Sequence, residues 1–173
     1  MVAAGTQPQP ASEWASQIAQ ALSTLKIDES EVTRISQVAK EFQQYGTTSS
    51  DLLQLQAERL VDQMRKSGGD LAKRSRIAVK SEFRDHVEGF KVKALGFTYD
   101  RTREVPPTPE EVKEIEEYNE IVLRHNRLMD EFSVTIAELL RRNAKVSFMW
   151  KNHVKQFAKS RPPTIQWNLR GSS

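Results

Sequence analysis

Thr108-Pro109-Glu110-Glu111 and Arg161-Pro162-Pro163 bracket the stretch of sequence that decides the fold. Pro109 follows Thr108 at a first helical position, and Glu111 lies three residues after Thr108, which is the spacing of a capping box. Proline cannot continue a helix, and no comparable stop precedes Pro162. The sequence therefore predicts one long helix over residues 109–160, roughly 75 Å long at about 1.5 Å per residue.

One side of this predicted helix is apolar. Steps of three and four residues place most of its apolar and aromatic side chains in one stripe, interrupted by His125, Asn143 and His153. A second apolar row beside it broadens the face, and a broad apolar face has to be covered by other helices. We therefore assign partner-helix packing to Ile115, Tyr118, Val122, Met129, Phe132, Ile136, Leu139, Val146, Trp150 and Phe157.

Short polar breaks divide the rest of the chain. Apolar residues at helical spacing predict about four short helices within residues 12–95, with Gly68-Gly69 between the third and the fourth and Gly96 as the last stop. Residues 1–11 are predicted to be a flexible tail, 96–108 a loop and 161–173 an extended C-terminal tail. Phe97-Thr98-Tyr99 suggests at most one short extended piece, which cannot form a sheet alone. The predicted fold class is all-α, with about four short helices plus one long C-terminal helix in bundle or coiled-coil-like packing.

Composition excludes several classes of protein. The 173 residues include no cysteine, which excludes disulfides, thiolate zinc sites and cysteine nucleophiles. No run of about 20 apolar residues occurs, so no membrane-spanning helix is predicted. The first ten residues lack the basic and apolar regions of a signal peptide. We expect an intracellular, cytoplasmic protein, or one that works within a large assembly.

Charge is distributed in blocks of alternating sign. The net charge of the whole chain is +3, but residues 104–138 carry −7 and residues 139–173 carry +8. Opposite blocks in one chain favour docking between subunits, because each block neutralises the other across an interface. The same cations could instead bind a polyanion such as nucleic acid, or form a solvated face. The candidate polyanion-binding residues are Lys73, Arg76, Lys80, Arg84, Arg141, Arg142, Lys145, Lys151, Lys155 and Lys159.

Residues that carry chemistry are sparse. His86, His125 and His153 show no metal-ligand spacing, and the chain has no phosphate-binding loop, dinucleotide fingerprint or nucleophile elbow. His125 and His153 fall on the apolar stripe, where they set register or form a pH-sensitive interface. The sequence predicts no catalytic residue, no metal site and no cofactor.

These patterns favour a non-enzymatic structural or assembly protein of a multi-subunit complex, acting by helix packing and charge-block docking with a protein partner or with copies of itself. A minor virion component, such as a phage tail or neck protein, is one version of this hypothesis. The alternatives are a helical protein that binds nucleic acid or another polyanion, and an enzyme with an unrecognised helical active site.

Overall fold

Helices form most of the chain that the structure describes. The computed structural model describes residues 10–82, 87–94, 97–104 and 108–165, with side chains described at 10–74 and 108–165. Five α-helices occur in these residues, which confirms the predicted helical fold class. They are α1 (Ala11–Ser23), α2 (Glu29–Ala39), α3 (Ser50–Glu82), α4 (Pro109–Arg141) and α5 (Phe148–Lys159), and a 3₁₀ segment (Lys40–Thr47) follows α2.

The start of α4 forms as the sequence predicts. The backbone N–H of Glu111 donates to Oγ1 of Thr108 at 3.2 Å, and the backbone N–H of Thr108 donates to Oε1 of Glu111 at 3.2 Å. This reciprocal pair is a capping box, and it satisfies two of the N–H groups that a helix start leaves unpaired.

The prediction of one continuous helix over residues 109–160 is wrong, because α4 ends at Arg141. Asn143 has a φ of 57°, and its N–H donates to the carbonyl of Leu140 at 2.9 Å while that of Ala144 donates to Leu139 at 2.9 Å. These two bonds around a left-handed residue form a Schellman motif, which terminates helices. Ser147 then caps α5 by accepting a hydrogen bond from the N–H of Trp150 at 3.2 Å.

The predicted break at Gly68-Gly69 is also wrong. A single helix, α3, runs through both glycines from Ser50 to Glu82. Each glycine weakens a helix by only about 1 kcal/mol relative to alanine. Ser67 and Leu71, on either side of the pair, are both buried, so packing outweighs the local preference.

A β-hairpin replaces both the end of the predicted fourth helix and most of the predicted loop at 96–108. Strand β1 (Val87–Ala94) pairs with β2 (Phe97–Glu104) in antiparallel register, with Ala94 opposite Phe97 and Val92 opposite Tyr99. Only two residues, Leu95 and Gly96, separate the strands in sequence, a length common in hairpins. The predicted tail 1–11 lies almost entirely outside the described residues, as do residues 166–173 of the other tail.

The chain divides into two compact units. Unit 1 is Met1–Gly68 with Arg124–Pro162, and unit 2 is Gly69–Leu123 with Pro163–Ser173. The core of unit 1 gathers buried side chains from all five helices, among them Trp14, Ile35, Leu60, Phe132 and Val154. Unit 2 has a smaller cluster of Leu71, Tyr118, Ile121 and Val122, against which Ile165 packs. Among the described helices, none combines the length and apolar character needed to cross a bilayer.

Candidate interaction site

Glu138, near the end of α4, is a fully buried carboxylate in unit 1. The indole Nε1 of Trp14 donates to its Oε1 at 2.9 Å, and Nε of Arg141 contacts both carboxylate oxygens, at 2.6 and 2.9 Å. Nε of Arg142 lies 3.2 Å from Oε2, and its Nη2 donates to the carbonyl of Tyr45 at 2.6 Å. Two of the predicted polyanion-binding cations, Arg141 and Arg142, therefore compensate a charge of their own chain.

Asp130 is a second buried carboxylate of unit 1. Nη1 of Arg34 donates to its Oδ1 at 2.7 Å, and Nη2 of Arg161 donates to its Oδ2 at 3.3 Å. Arg34 also binds Glu31 of its own helix at 2.6 Å. Burial raises the pKa of Asp130 to about 6, because desolvation of the carboxylate outweighs the attraction of Arg34. The two opposite charge blocks thus partly neutralise each other inside the chain.

Tyr45 belongs to a third polar cluster of unit 1. Its Oη donates to Oε1 of Glu131 at 2.6 Å, and this carboxylate oxygen also accepts from Nε2 of Gln56 at 3.0 Å. Burial and the neighbouring carboxylate hold the pKa of Tyr45 well above its usual range. The phenol therefore stays a neutral donor and fixes the 3₁₀ segment to α4.

His125 and His153 line one cavity of about 280 Å³ in unit 1. The ring of His153 stacks on Phe157 with centroids 5.7 Å apart, and its Nδ1 is buried with no hydrogen-bond partner among the described residues. The remaining lining residues are Val61, Met64, Arg65, Gln156 and Phe157. The cavity therefore has both apolar and polar walls.

Ser67 forms a hydrogen bond with His125, one of the residues that line this cavity. Oγ of Ser67 lies 2.5 Å from Nδ1 of His125, and it also donates to the carbonyl of Met64 at 3.1 Å. The hydroxyl of Ser67 is buried, so both polar contacts lie inside unit 1. Burial lowers the pKa of His125.

The apolar stripe predicted for partner-helix packing is largely inside the chain. Ile115, Tyr118 and Val122 are buried in unit 2, whereas Met129, Phe132, Ile136 and Leu139 are buried in unit 1. Val146, Trp150 and Phe157 are half-buried against the core of unit 1. Helices of the same chain therefore already cover these side chains, and their contact with a partner helix stays a prediction.

The other predicted cations divide into described and undescribed groups. Lys73, Lys145 and Lys159 are exposed, and Lys151 and Lys155 are half-buried. None of these five lysines has an ion-pair partner within the described residues. The side chains of Arg76, Lys80 and Arg84 lie outside the described residues.

Two outward faces in unit 1 combine apolar and charged side chains. The α5 face consists of Phe148, Lys151, Lys155 and Lys159, and Phe148 is 77% exposed. The α3 face consists of Asp51, Leu55, Glu58 and Asp62, and Leu55 is 57% exposed. Leu55 and its exposed neighbour Leu52 border a groove of about 290 Å³ that Tyr45, Thr48, Gln56 and Arg59 also line.

Sequence reasoning found the lysines of the α5 face but missed Phe148 and the whole α3 face. The signal for Leu52 and Leu55 is their position relative to Leu53, Ala57, Leu60 and Met64, whose steps of four, three and four define the buried side of α3. Both leucines fall off that side. Ser147 is the signal for Phe148, because a capping serine places the next residue in the first turn.

Comparison of the chain with protein-family models, curated proteins and solved structures finds no match. No group of three or more histidine, aspartate and glutamate side chains within the described residues is arranged to hold a metal ion. The buried polar groups described above mostly bond to one another. Unit 1 presents charged side chains and a few large exposed apolar side chains outward.

Proposed function

We propose that this chain is a non-enzymatic structural subunit that assembles with copies of itself through unit 1. The observation that carries the proposal is the α5 face, where a largely exposed phenylalanine heads a row of lysines without ion-pair partners in the described part of the chain. Large apolar side chains grouped with charges of one sign are typical of surfaces that another protein covers. A minor structural protein of a virus particle is one version of this proposal.

The internal polar clusters support a structural role over a reactive one. Glu138, Asp130 and Glu131 each bond to at least two groups of their own unit, and these bonds join residues far apart in sequence. Satisfied buried networks of this kind specify a single packing arrangement. Ser67, the hydroxyl that contacts His125, is buried, which also favours a structural role for this pair.

Light scattering after size exclusion, run at several protein concentrations, tests the proposal. We expect a mass above the single-chain value of 19.8 kDa at about 0.1 M salt. The mass should fall toward 19.8 kDa at about 1 M salt, because the Debye length shortens from about 10 Å to about 3 Å. A single-chain mass under all of these conditions would exclude self-assembly.

A polyanion partner is the second candidate, and one observation favours it. α5 contains no acidic residue, and Lys151, Lys155 and Lys159 follow one another at four-residue steps along it. Phosphate groups need only such a row of cations. Retention on nucleic acid at low salt should then exceed that of a variant with Lys151→Gln and Lys155→Gln. Equal retention of the two proteins would leave no role for α5 in polyanion binding.

A further inference from the structure

We infer that the α5 face of one chain packs on the α3 face of a second copy. This inference rests on the proposed function and names the surfaces that carry it. Both faces lie in unit 1 and carry opposite charges, and the apolar residue that heads each face, Phe148 or Leu55, is exposed, whereas Lys151 and Lys155 are half-buried. A second copy supplies the complementary face without any other partner.

Spacing along the two helices matches residue for residue. On α5, Lys151 follows Phe148 by three residues and Lys155 follows Lys151 by four. On α3, Glu58 follows Leu55 by three residues and Asp62 follows Glu58 by four. A parallel alignment with Phe148 beside Leu55 therefore sets Lys151 against Glu58 and Lys155 against Asp62, over about 10 Å of helix.

Like charges lie next to each other on each of the two faces. Glu58 and Asp62 are like charges at i, i+4, as are Lys151 and Lys155, and such pairs destabilise an isolated helix. Asp62 contacts Arg65 at 3.7 Å, but both side chains are more than 70% exposed, so that ion pair contributes little. Docking the two faces adds two attractive pairs between chains, which offset the repulsion within each helix.

Apolar contact anchors the same alignment. Phe148 is 77% exposed, and the groove beside Leu52 and Leu55 lies at the end of the α3 face where the alignment sets its ring. Aromatic side chains buried in such grooves dominate many interfaces. The contact joins two different surfaces, so it is either exchanged reciprocally in a two-fold dimer or repeated from chain to chain.

Charge-reversal variants test the pairing. The first carries Lys151→Glu and Lys155→Glu, and the second carries Glu58→Lys and Asp62→Lys. We expect each variant alone to have the single-chain mass by light scattering, because its two faces then carry the same sign. Mixing the two variants should restore a mass of at least twice 19.8 kDa, because each face again meets the opposite charge. A single chain carrying all four substitutions should also assemble.

Two controls distinguish a specific effect on assembly from an effect of net charge or of misfolding. A variant with Lys26→Glu and Lys40→Glu makes the same change of charge at exposed positions away from both faces, and it should assemble like the wild type. Far-ultraviolet circular dichroism checks that every variant stays helical. An assembled wild type with unchanged variants, or variants that do not recombine, would overturn the inference and leave the proposed function standing. A wild type that is a single chain at every concentration would overturn both.

Discussion

Single residues in the core of unit 1 carry charge that the fold has to compensate. Glu138 bonds to Trp14 and to two arginines, and the carboxylate itself has no exposed surface. Replacing Glu138 with glutamine preserves its shape but leaves Arg141 and Arg142 without a counter-charge. We expect the free energy of unfolding to fall by about 3 kcal/mol in urea denaturation.

The matched control is Glu116→Gln, which removes the same charge from an exposed position of the same helix, away from the proposed interface. Its free energy of unfolding should stay within about 0.5 kcal/mol of the wild type. Equal effects of the two substitutions would contradict the role of Glu138 in the core.

Asp130 predicts a particular dependence of stability on pH. Its pKa is about 6 in the folded chain and about 3.9 when unfolded, so the folded state binds this proton more tightly. The contribution of Asp130 to the free energy of unfolding therefore falls as pH rises from about 4 to about 6, by up to about 3 kcal/mol, and is constant above.

An Asp130→Asn variant isolates this effect, since asparagine does not titrate. Urea denaturation of both proteins between about pH 4 and about pH 7 gives the difference in their free energies of unfolding. As pH rises to about 6, the wild type should lose stability relative to the variant, and above that pH the difference should stay constant. A difference that is constant over the range would contradict the raised pKa.

At the scale of elements, the turn between α4 and α5 depends on one left-handed residue. Asn143 adopts a φ of 57°, which asparagine and glycine tolerate better than other residues. We expect Asn143→Ala to lower the free energy of unfolding by about 1 kcal/mol, whereas Asn143→Gly should change it by less. Urea denaturation measures both. An alanine variant as stable as the glycine variant would show that the turn does not depend on backbone conformation.

The sequence predicted the start of α4 because a capping box is purely local. It failed at Asn143 because the apolar spacing continues across the turn. Val146, Trp150 and Phe157 pack against the same core as α4, so the stripe looks unbroken when read as one helix. Local geometry, visible only as an asparagine that tolerates a positive φ, decided the break.

The other two errors arose from competition between signals. Gly68-Gly69 is a strong local break, but burial of Ser67 and Leu71 keeps α3 continuous. Val87 and Phe90 fit a helical spacing, whereas Phe90, Val92 and Ala94 fit the two-residue period of a strand. Short apolar runs do not distinguish the two, and pairing with β2 decided for the strand. The α3 face could not be predicted until the buried side of that helix was known.

At the scale of the whole molecule, replacing an exposed aromatic residue should weaken assembly, whereas replacing a buried one should lower the free energy of unfolding. At concentrations where both proteins are single chains, Phe148→Ser should leave the free energy of unfolding within about 0.5 kcal/mol of the wild type, because the side chain is 77% exposed. It should weaken self-association on the order of tenfold or more, since burying a phenylalanine contributes about 1.5–3 kcal/mol. Sedimentation equilibrium measures the association constant.

Phe132→Ser is the contrasting variant, because Phe132 is fully buried in the core of unit 1. It should lower the free energy of unfolding by about 3 kcal/mol or more. Loss of stability in Phe148→Ser, or unchanged association, would count against a docking role for the start of α5.

The discontinuous sequence of unit 1 has a consequence for its biosynthesis. Residues 124–162 complete the core of unit 1 that residues 10–68 begin. Trp14, for example, bonds to Glu138, which lies 124 positions further along the chain. At about 5–20 residues per second, a ribosome needs several seconds to make residues 69–123, which separate the two parts of unit 1. During that interval the apolar faces of the first helices are uncovered on the nascent chain. Chaperones that bind emerging chains can bind these faces.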